Sequence, residues 1–265
     1  LWIRRKYRID YVLSEHSSHY LPISSDSYFS KSYFYKIQVR NIFKGAISIS
    51  NVSATVGQII KKIFSLNKIE TIHNTVNIDY FKYTPEKSKT FTFIHVSSLN
   101  KQKNIYGILN AFEQLKKNNT NWLLKLIGPF TPELVNYIDL KGLRDYVILT
   151  GEISYENVAK QMQQSHVFVL FSNHENFPCV IIEAQCCGLP VISSNVAGVK
   201  EAINSKNGLL VNVNDELLLL NALITIMNSY NIYQTKEISA EAHNLYNYKT
   251  IGKQIFNLYS NTQFP

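Results

Sequence analysis

The segment SNHENFPCVIIEAQCCGLPVISS, residues 172–194, gathers the side chains whose types and spacing could do chemistry. Glu175 falls in a loop after an apolar strand, and Pro178 suits the first turn of a helix, where a missing N–H costs nothing. Glu183 lies five residues into that helix, and Gly188 ends it before another strand. The free N–H groups of the first turn and the helix dipole offer a place for an anion. Two carboxylates eight residues apart, one at the mouth and one a turn and a half inside, could each accept hydrogen bonds from sugar hydroxyls beside that anion. The plainer account is a solvated loop glutamate and a helix-face glutamate with no shared task.

Other reactive side chains make weaker cases. Cys179, Cys186 and Cys187 lack zinc-ligand spacing and read as small core residues. Three cysteines, two of them adjacent, build no disulfide framework, which fits a reducing compartment. His16 and His19 in HSSH have no further ligand cluster to complete a metal site, so no metal is expected. His166, at the head of an apolar strand, reads as a satisfied core residue. The 17 Tyr and 14 Phe could stack on nucleic acid, but they are spread along the chain without a recognition motif, and packing accounts for them. No nucleic-acid partner is expected.

The elements that must hold these residues follow from apolar patterning. Buried strands are read at 91–96, 122–128, 146–151, 166–171, 190–194 and 208–211. A helix with apolar residues at Ile105, Ile108, Leu109, Phe112 and Leu115 follows the first, and Ser154 opens another with Asn157 three residues on. Helices at 214–229, 237–246 and 249–261 close the chain. Strands alternating with helices predict an α/β fold, a parallel sheet covered on both faces and doubly wound. The first part is less regular, with strands at 7–14, 45–50 and 68–74 and a helix at 56–64. TPEKSKT, residues 84–90, reads as the linker between the two parts.

Charge separates the same two parts. Of 27 basic and 19 acidic side chains, 14 and 6 lie in residues 1–90, so the whole net charge of +8 sits there. The longest apolar stretch, 217–227, is about half of the ~20 residues that a membrane span needs. No apolar targeting run is read in the opening LWIRRKYRID.

Glu175-x7-Glu183, followed by AQCCGLPVIS, resembles the donor-site signature of the GT-B retaining glycosyltransferases of family 4, glycosyl transferases group 1. VSSLNKQKNIYGILNAF (96–112) is similar to that family's phosphate-binding segment, and GVKEAI (198–203) and NGLLV (207–211) to its donor-domain ending. IHNTVNIDYF (72–81) resembles the end of its N-terminal domain, and LSEHSSHY (13–20) its acceptor-side histidine motif. The resemblance implies two Rossmann-like domains. Residues 1–84 would be a partial acceptor-side domain, 85–245 the donor-binding domain, and 246–265 a helix crossing back to the first.

The resemblance also implies roles. Glu183 would bind the nucleotide ribose and Glu175 the transferred sugar, with His16 across the cleft. Ser98, Lys103, Asn176, Phe177, Cys179 and Val180 would complete donor binding, Lys103 stabilising the leaving diphosphate. The resemblance implies no cofactor and no metal, and a nucleotide sugar such as a UDP- or GDP-hexose would be the substrate. A glycan or lipid-linked glycan would be the acceptor, in bacterial surface polysaccharide synthesis. The place would be the cytoplasm, peripheral at the inner face of the cell membrane, with the basic part on anionic lipid.

Two departures stand out. Ser98 occupies the position where the family usually has Arg, leaving Lys103 and the helix N-terminus, or Lys101, to serve the diphosphate. The family's early glycine-rich loop is not in the chain, so an N-terminally truncated sequence is expected. A nucleotide-sugar epimerase and a non-catalytic nucleotide-binding remnant of the fold are the competing expectations.

Overall fold

The computed structural model describes residues 2–24 and 26–260. Its strands form two parallel sheets. The smaller sheet holds β1 (Val12–Glu15), β2 (Ser48–Asn51) and β3 (Glu70–Thr71) in that order, with α1 (Trp2–Tyr7), α2 (Tyr33–Gly45) and α3 (Ala54–Phe64) around it. The larger holds β4 (Phe91–Val96), β5 (Trp122–Ile127), β6 (Val147–Gly151), β7 (Val167–Leu170), β8 (Val191–Ser194) and β9 (Gly208–Val211). Consecutive strands of it are joined by α4 (Ile105–Asn118), α5 (Pro132–Leu140), α6 (Tyr155–Gln164), α7 (Cys179–Cys186) and α8 (Val199–Ala202). Then α9 (Glu216–Asn228), α10 (Thr235–Tyr246) and α11 (Tyr248–Ser260) end the described chain.

The larger sheet runs β6-β5-β4-β7-β8-β9, every pair parallel. The chain therefore enters at the centre, builds outward to β6, and crosses back to lay β7 on the other side of β4. Both faces are covered, as an all-parallel sheet requires. One core packs α4 and α9 through Ile108, Phe112, Leu219 and Leu223, and the other packs α6, α7 and α10 through Met162, Ile181, Ile182 and Ala242. The loops leaving β4 and β7 turn to opposite faces, and the crevice where they part is where such sheets bind ligands.

Several sequence expectations shift. Residues 7–14 do not form one strand: α1 ends at Tyr7, Arg8 takes a left-handed φ of 55°, and the strand begins at Val12. The stretch 68–74 contributes only two paired residues. Helices α2 and α5 were not legible as periodic runs. Pro178 is the extended N-cap of α7, one position before the helix. Helix 249–261 is α11, and residues 261–265 lie outside the described residues. Ile251 and Leu258 of α11 pack on Ile72 and Val12, so α11 rests on the smaller sheet. No described helix is long and apolar enough to cross a membrane.

Candidate active site

The central strand β4 releases a turn that begins on the sheet itself. His95 is fully buried; its Nδ1 donates to the Val169 carbonyl (2.8 Å), which can only accept. Nε2 is then the acceptor and takes the Ser97 hydroxyl at 2.7 Å. Ser97 Oγ in turn accepts the Leu99 N–H at 3.0 Å, holding Leu99 in a left-handed conformation with φ of 48°. Gly128 packs against this turn, where a Cβ would overlap the Ser97 carbonyl oxygen. Asn100 then caps the short turn Lys101–Lys103, and Asn104 caps α4. A loop with this many internal supports presents Lys103 at one place.

The β7 loop is sewn to that turn. The Asn173 N–H donates to the Gln102 carbonyl (2.8 Å), the Asn173 amide to Lys101 O (2.9 Å), and the Gln102 amide to His174 O (3.0 Å). The seam ends in an ion pair between Lys103 Nζ and Glu175 Oε1 at 2.5 Å, with both side chains largely buried. Segments 72 residues apart thus bring together Lys103 and Glu175, the groups that the family resemblance expects at the diphosphate and the sugar. Beyond Glu175, the first-turn N–H groups of Cys179 and Val180 have no capping side chain, since Pro178 supplies none. Glu183 lies one helical turn further in, buried, with its Oε1 accepting the Tyr155 hydroxyl at 2.9 Å. Burial raises the Glu183 pKa and the Tyr155 bond works against that rise.

The smaller sheet's part of the chain meets this site through side-chain amides on carbonyls and one ring stack. The Asn176 amide donates to the His16 and Ser17 carbonyls at 3.0 and 3.1 Å. The Asn74 amide donates to Phe177 O at 2.7 Å, and Asn74 Oδ1 pairs with His16 Nδ1 at 3.2 Å. The His73 ring stacks on Phe177, 4.3 Å between centroids. His16 is therefore brought to the rim of the Glu175 loop, its ring also bonded to Ser14 Oγ.

Of the residues singled out from sequence, His16, Lys103, Glu175, Asn176, Phe177, Cys179, Val180 and Glu183 lie on segments that adjoin around the β7–α7 loop. Ser98 lies exposed on the turn, and its side chain has no hydrogen-bond partner among the described residues. Lys101 is exposed and meets the β7 loop through its carbonyl. Cys186 and Cys187 are core residues, whereas Cys179 is exposed at the α7 N-terminus. His166 is satisfied by the Thr92 N–H. His95, Ser97, Gln102 and Tyr155 were missed, and only the resemblance of 96–112 pointed near three of them. Tyr155 carried no signal, because its partner is 28 residues away.

Two parallel sheets, with a cationic turn, a loop glutamate and a helix glutamate on the larger, define a GT-B fold. Residues 77–244 match the family described as glycosyl transferases group 1, and the chain belongs to it. Solved structures agree on the fold. Sucrose-phosphate synthase of Thermosynechococcus elongatus superposes with a TM-score of 0.84 at 22% identity, covering 98% of this chain and 70% of that one. HepE of Anabaena, in complex with UDP and glucose, gives 0.81 at 20% identity, covering 97% and 73%. Among curated relatives, N-acetyl-alpha-D-glucosaminyl L-malate synthase of Bacillus anthracis is 25% identical over 74% of this chain and 55% of its own length. A GDP-mannose:cellobiosyl-diphosphopolyprenol alpha-mannosyltransferase of Xanthomonas campestris is 25% identical over 63% and 46%. The chain thus spans about half the length of such relatives.

Proposed function

We propose that the protein is a retaining glycosyltransferase that needs no metal and moves a hexose from a nucleoside diphosphate sugar to a hydroxyl of a glycan or lipid-linked glycan. The observation that carries this reading is the Lys103–Glu175 pair placed beside the uncapped N-terminus of α7. When the donor enters, its diphosphate takes over Lys103 and the first-turn N–H groups. Glu175, released from the lysine, accepts from the sugar hydroxyls, and Glu183 accepts from the ribose diol. The acceptor hydroxyl oxygen then bonds to the anomeric carbon as that carbon's bond to the diphosphate oxygen breaks, the hydroxyl proton leaving on the diphosphate. Lys103 with the helix dipole stabilises the charge left on the nucleoside diphosphate. No side-chain nucleophile is assigned; His16 faces the sugar from the smaller sheet.

HepE is solved in complex with UDP-glucose, and a relative is named for GDP-mannose, which supports a nucleotide sugar without choosing the base. Relatives from polysaccharide synthesis, including a colanic acid biosynthesis glycosyltransferase of Escherichia coli, support a bacterial surface polysaccharide as the product. That setting is cytoplasmic, with the acceptor at a membrane. The smaller sheet's outer side supports peripheral contact there, because Trp2, Tyr33 and Phe34 are exposed beside Lys6, Lys36 and Arg40.

The test is turnover of UDP- and GDP-hexoses with a lipid-linked glycan acceptor, reading the stereochemistry of the product. Retention is expected. Lys103→Ala should lower kcat by about a hundredfold, the scale of losing one charge-stabilising group. Inversion at the anomeric carbon, or full activity in Lys103→Ala, would overturn the reading. Release of an altered nucleotide sugar without acceptor would identify an epimerase instead.

A further inference from the structure

The first turn of α3 has four N–H groups with no partner in the helix, and all four are accounted for. Val56 N–H donates to Ser53 Oγ at 3.2 Å, a local cap, and the N-cap Ser53 N–H to Asn51 Oδ1 at 2.9 Å. The remaining two go to a carboxylate from the other sheet: Ala54 N–H to Glu201 Oε2 at 2.8 Å and Thr55 N–H to Oε1 at 2.7 Å. The Ser53 hydroxyl adds a third bond to the same carboxylate, at 2.8 Å. Burial would raise the Glu201 pKa, and the bonds from Thr55, Ser53 and Ala54 outweigh it, so its carboxyl lies below the ordinary value. A negative charge at a helix N-terminus is favourable in itself.

The other side of the Glu201 segment touches the candidate site. α8 is entered through Gly198, which has no room for a side chain: a Cβ would overlap the Asn176 carbonyl oxygen and lie 2.9 Å from Ser53 Cβ. Asn176 is the neighbour of Glu175, and its amide holds the His16 and Ser17 carbonyls. Glu201, Ser53, Gly198, Asn176 and the residues after β1 thus close a ring of contacts between the sheets.

We propose that Glu201 is a positioning residue, which sets His16 and the Glu175 loop in register by capping α3 across the cleft. The functional part of this rests on the donor reading above; the structural part does not. A carboxylate serving only as a helix cap would stiffen α3 alone. One that positions the cleft must also affect residues 16–18 and 173–177, which it never touches through its own side chain.

Amide hydrogen exchange of the full 265-residue chain separates the two. Compared with wild type, Glu201→Gln and Glu201→Ala should exchange about tenfold faster at 54–56, the scale of losing a hydrogen bond to a charged group. They should also exchange faster at 16–18 and 173–177, while 93–96 and 167–170 in the larger sheet stay protected and show that the fold is intact. Ser53→Ala, which removes one of the three bonds, should give a smaller change at the same places. In the turnover assay kcat should fall by about tenfold, while UDP affinity by calorimetry changes by less than about twofold, because Lys103 and Glu183 lie on the larger sheet. Faster exchange confined to 53–57, or an equal loss of UDP affinity and kcat, would overturn the proposal. If wild type binds neither UDP nor GDP, the donor reading fails and the exchange pattern still decides the role of Glu201.

Discussion

At the scale of single residues, Tyr155 is the hydrogen-bond partner of Glu183, the glutamate proposed to hold the ribose. A buried carboxyl drifts toward its neutral form, and a neutral carboxyl accepts poorly from a diol. The Tyr155 hydroxyl donates to the charged form and holds the pKa down against burial. Tyr155→Phe removes that donor and leaves the ring packed against Phe81. The Glu183 pKa should then rise further, so nucleotide binding is lost at a higher pH as the solution is acidified. Affinity for the nucleoside diphosphate at pH 7 should drop by about tenfold, in line with one hydrogen bond to a charged group. Calorimetric titration across pH 5 to 8 checks this, and a variant whose acid limb coincides with wild type would remove Tyr155 from the account. The two glutamates were legible in the sequence because their spacing is local to one loop and helix. Tyr155 was not, because nothing in α6 announces a contact with a neighbouring helix.

At the scale of elements, legibility follows burial. The six strands of the larger sheet are read from composition because both faces are covered and each is a continuous apolar run. Helix α2 escapes the same reading because only Phe43 and Gly45 of its thirteen residues are buried, so no apolar stripe forms. Helix α5 offers just Leu134 and Ile138. The turn after β4 depends on His95 in a way no pattern reveals. Burial chiefly, with nearby Lys103 adding to it, lowers the His95 pKa from 6.5 to about 4, although the Val169 bond opposes the shift. The folded state therefore keeps His95 neutral. Below pH 6.5 the unfolded chain takes up a proton that the fold refuses, so stability falls as pH drops from about 6.5 to about 4. The contribution is about 3 kcal/mol at the lower end. His166, also lowered to about 4 by burial, adds to the loss in the same window. Urea unfolding at pH 7 and pH 4.5 should show the decline, and His95→Gln should flatten it. An equal decline in that variant would mean that other groups govern the window.

At the scale of the molecule, the asymmetry of charge acquires a position. The basic excess of residues 1–90 is carried by the smaller sheet, whose outer helix α2 leaves Tyr33, Phe34 and Ile37 exposed beside Lys36, Arg40 and Lys44. Basic side chains interleaved with exposed aromatics suit the headgroup level of an anionic bilayer, where each Lys or Arg contributes about 1 kcal/mol. The larger sheet's part of the chain, with equal numbers of acidic and basic residues, has no such attraction. Co-sedimentation with vesicles containing about 30% anionic lipid should recover most of the protein at low salt and little at 0.5 M salt, because surface attraction is screened within a few ångströms there. A triple change of Lys36, Arg40 and Lys44 to Gln should weaken binding by about a hundredfold at unchanged UDP affinity. Equal recovery on neutral vesicles, or no effect of the triple change, would show that the basic face is only solvated surface.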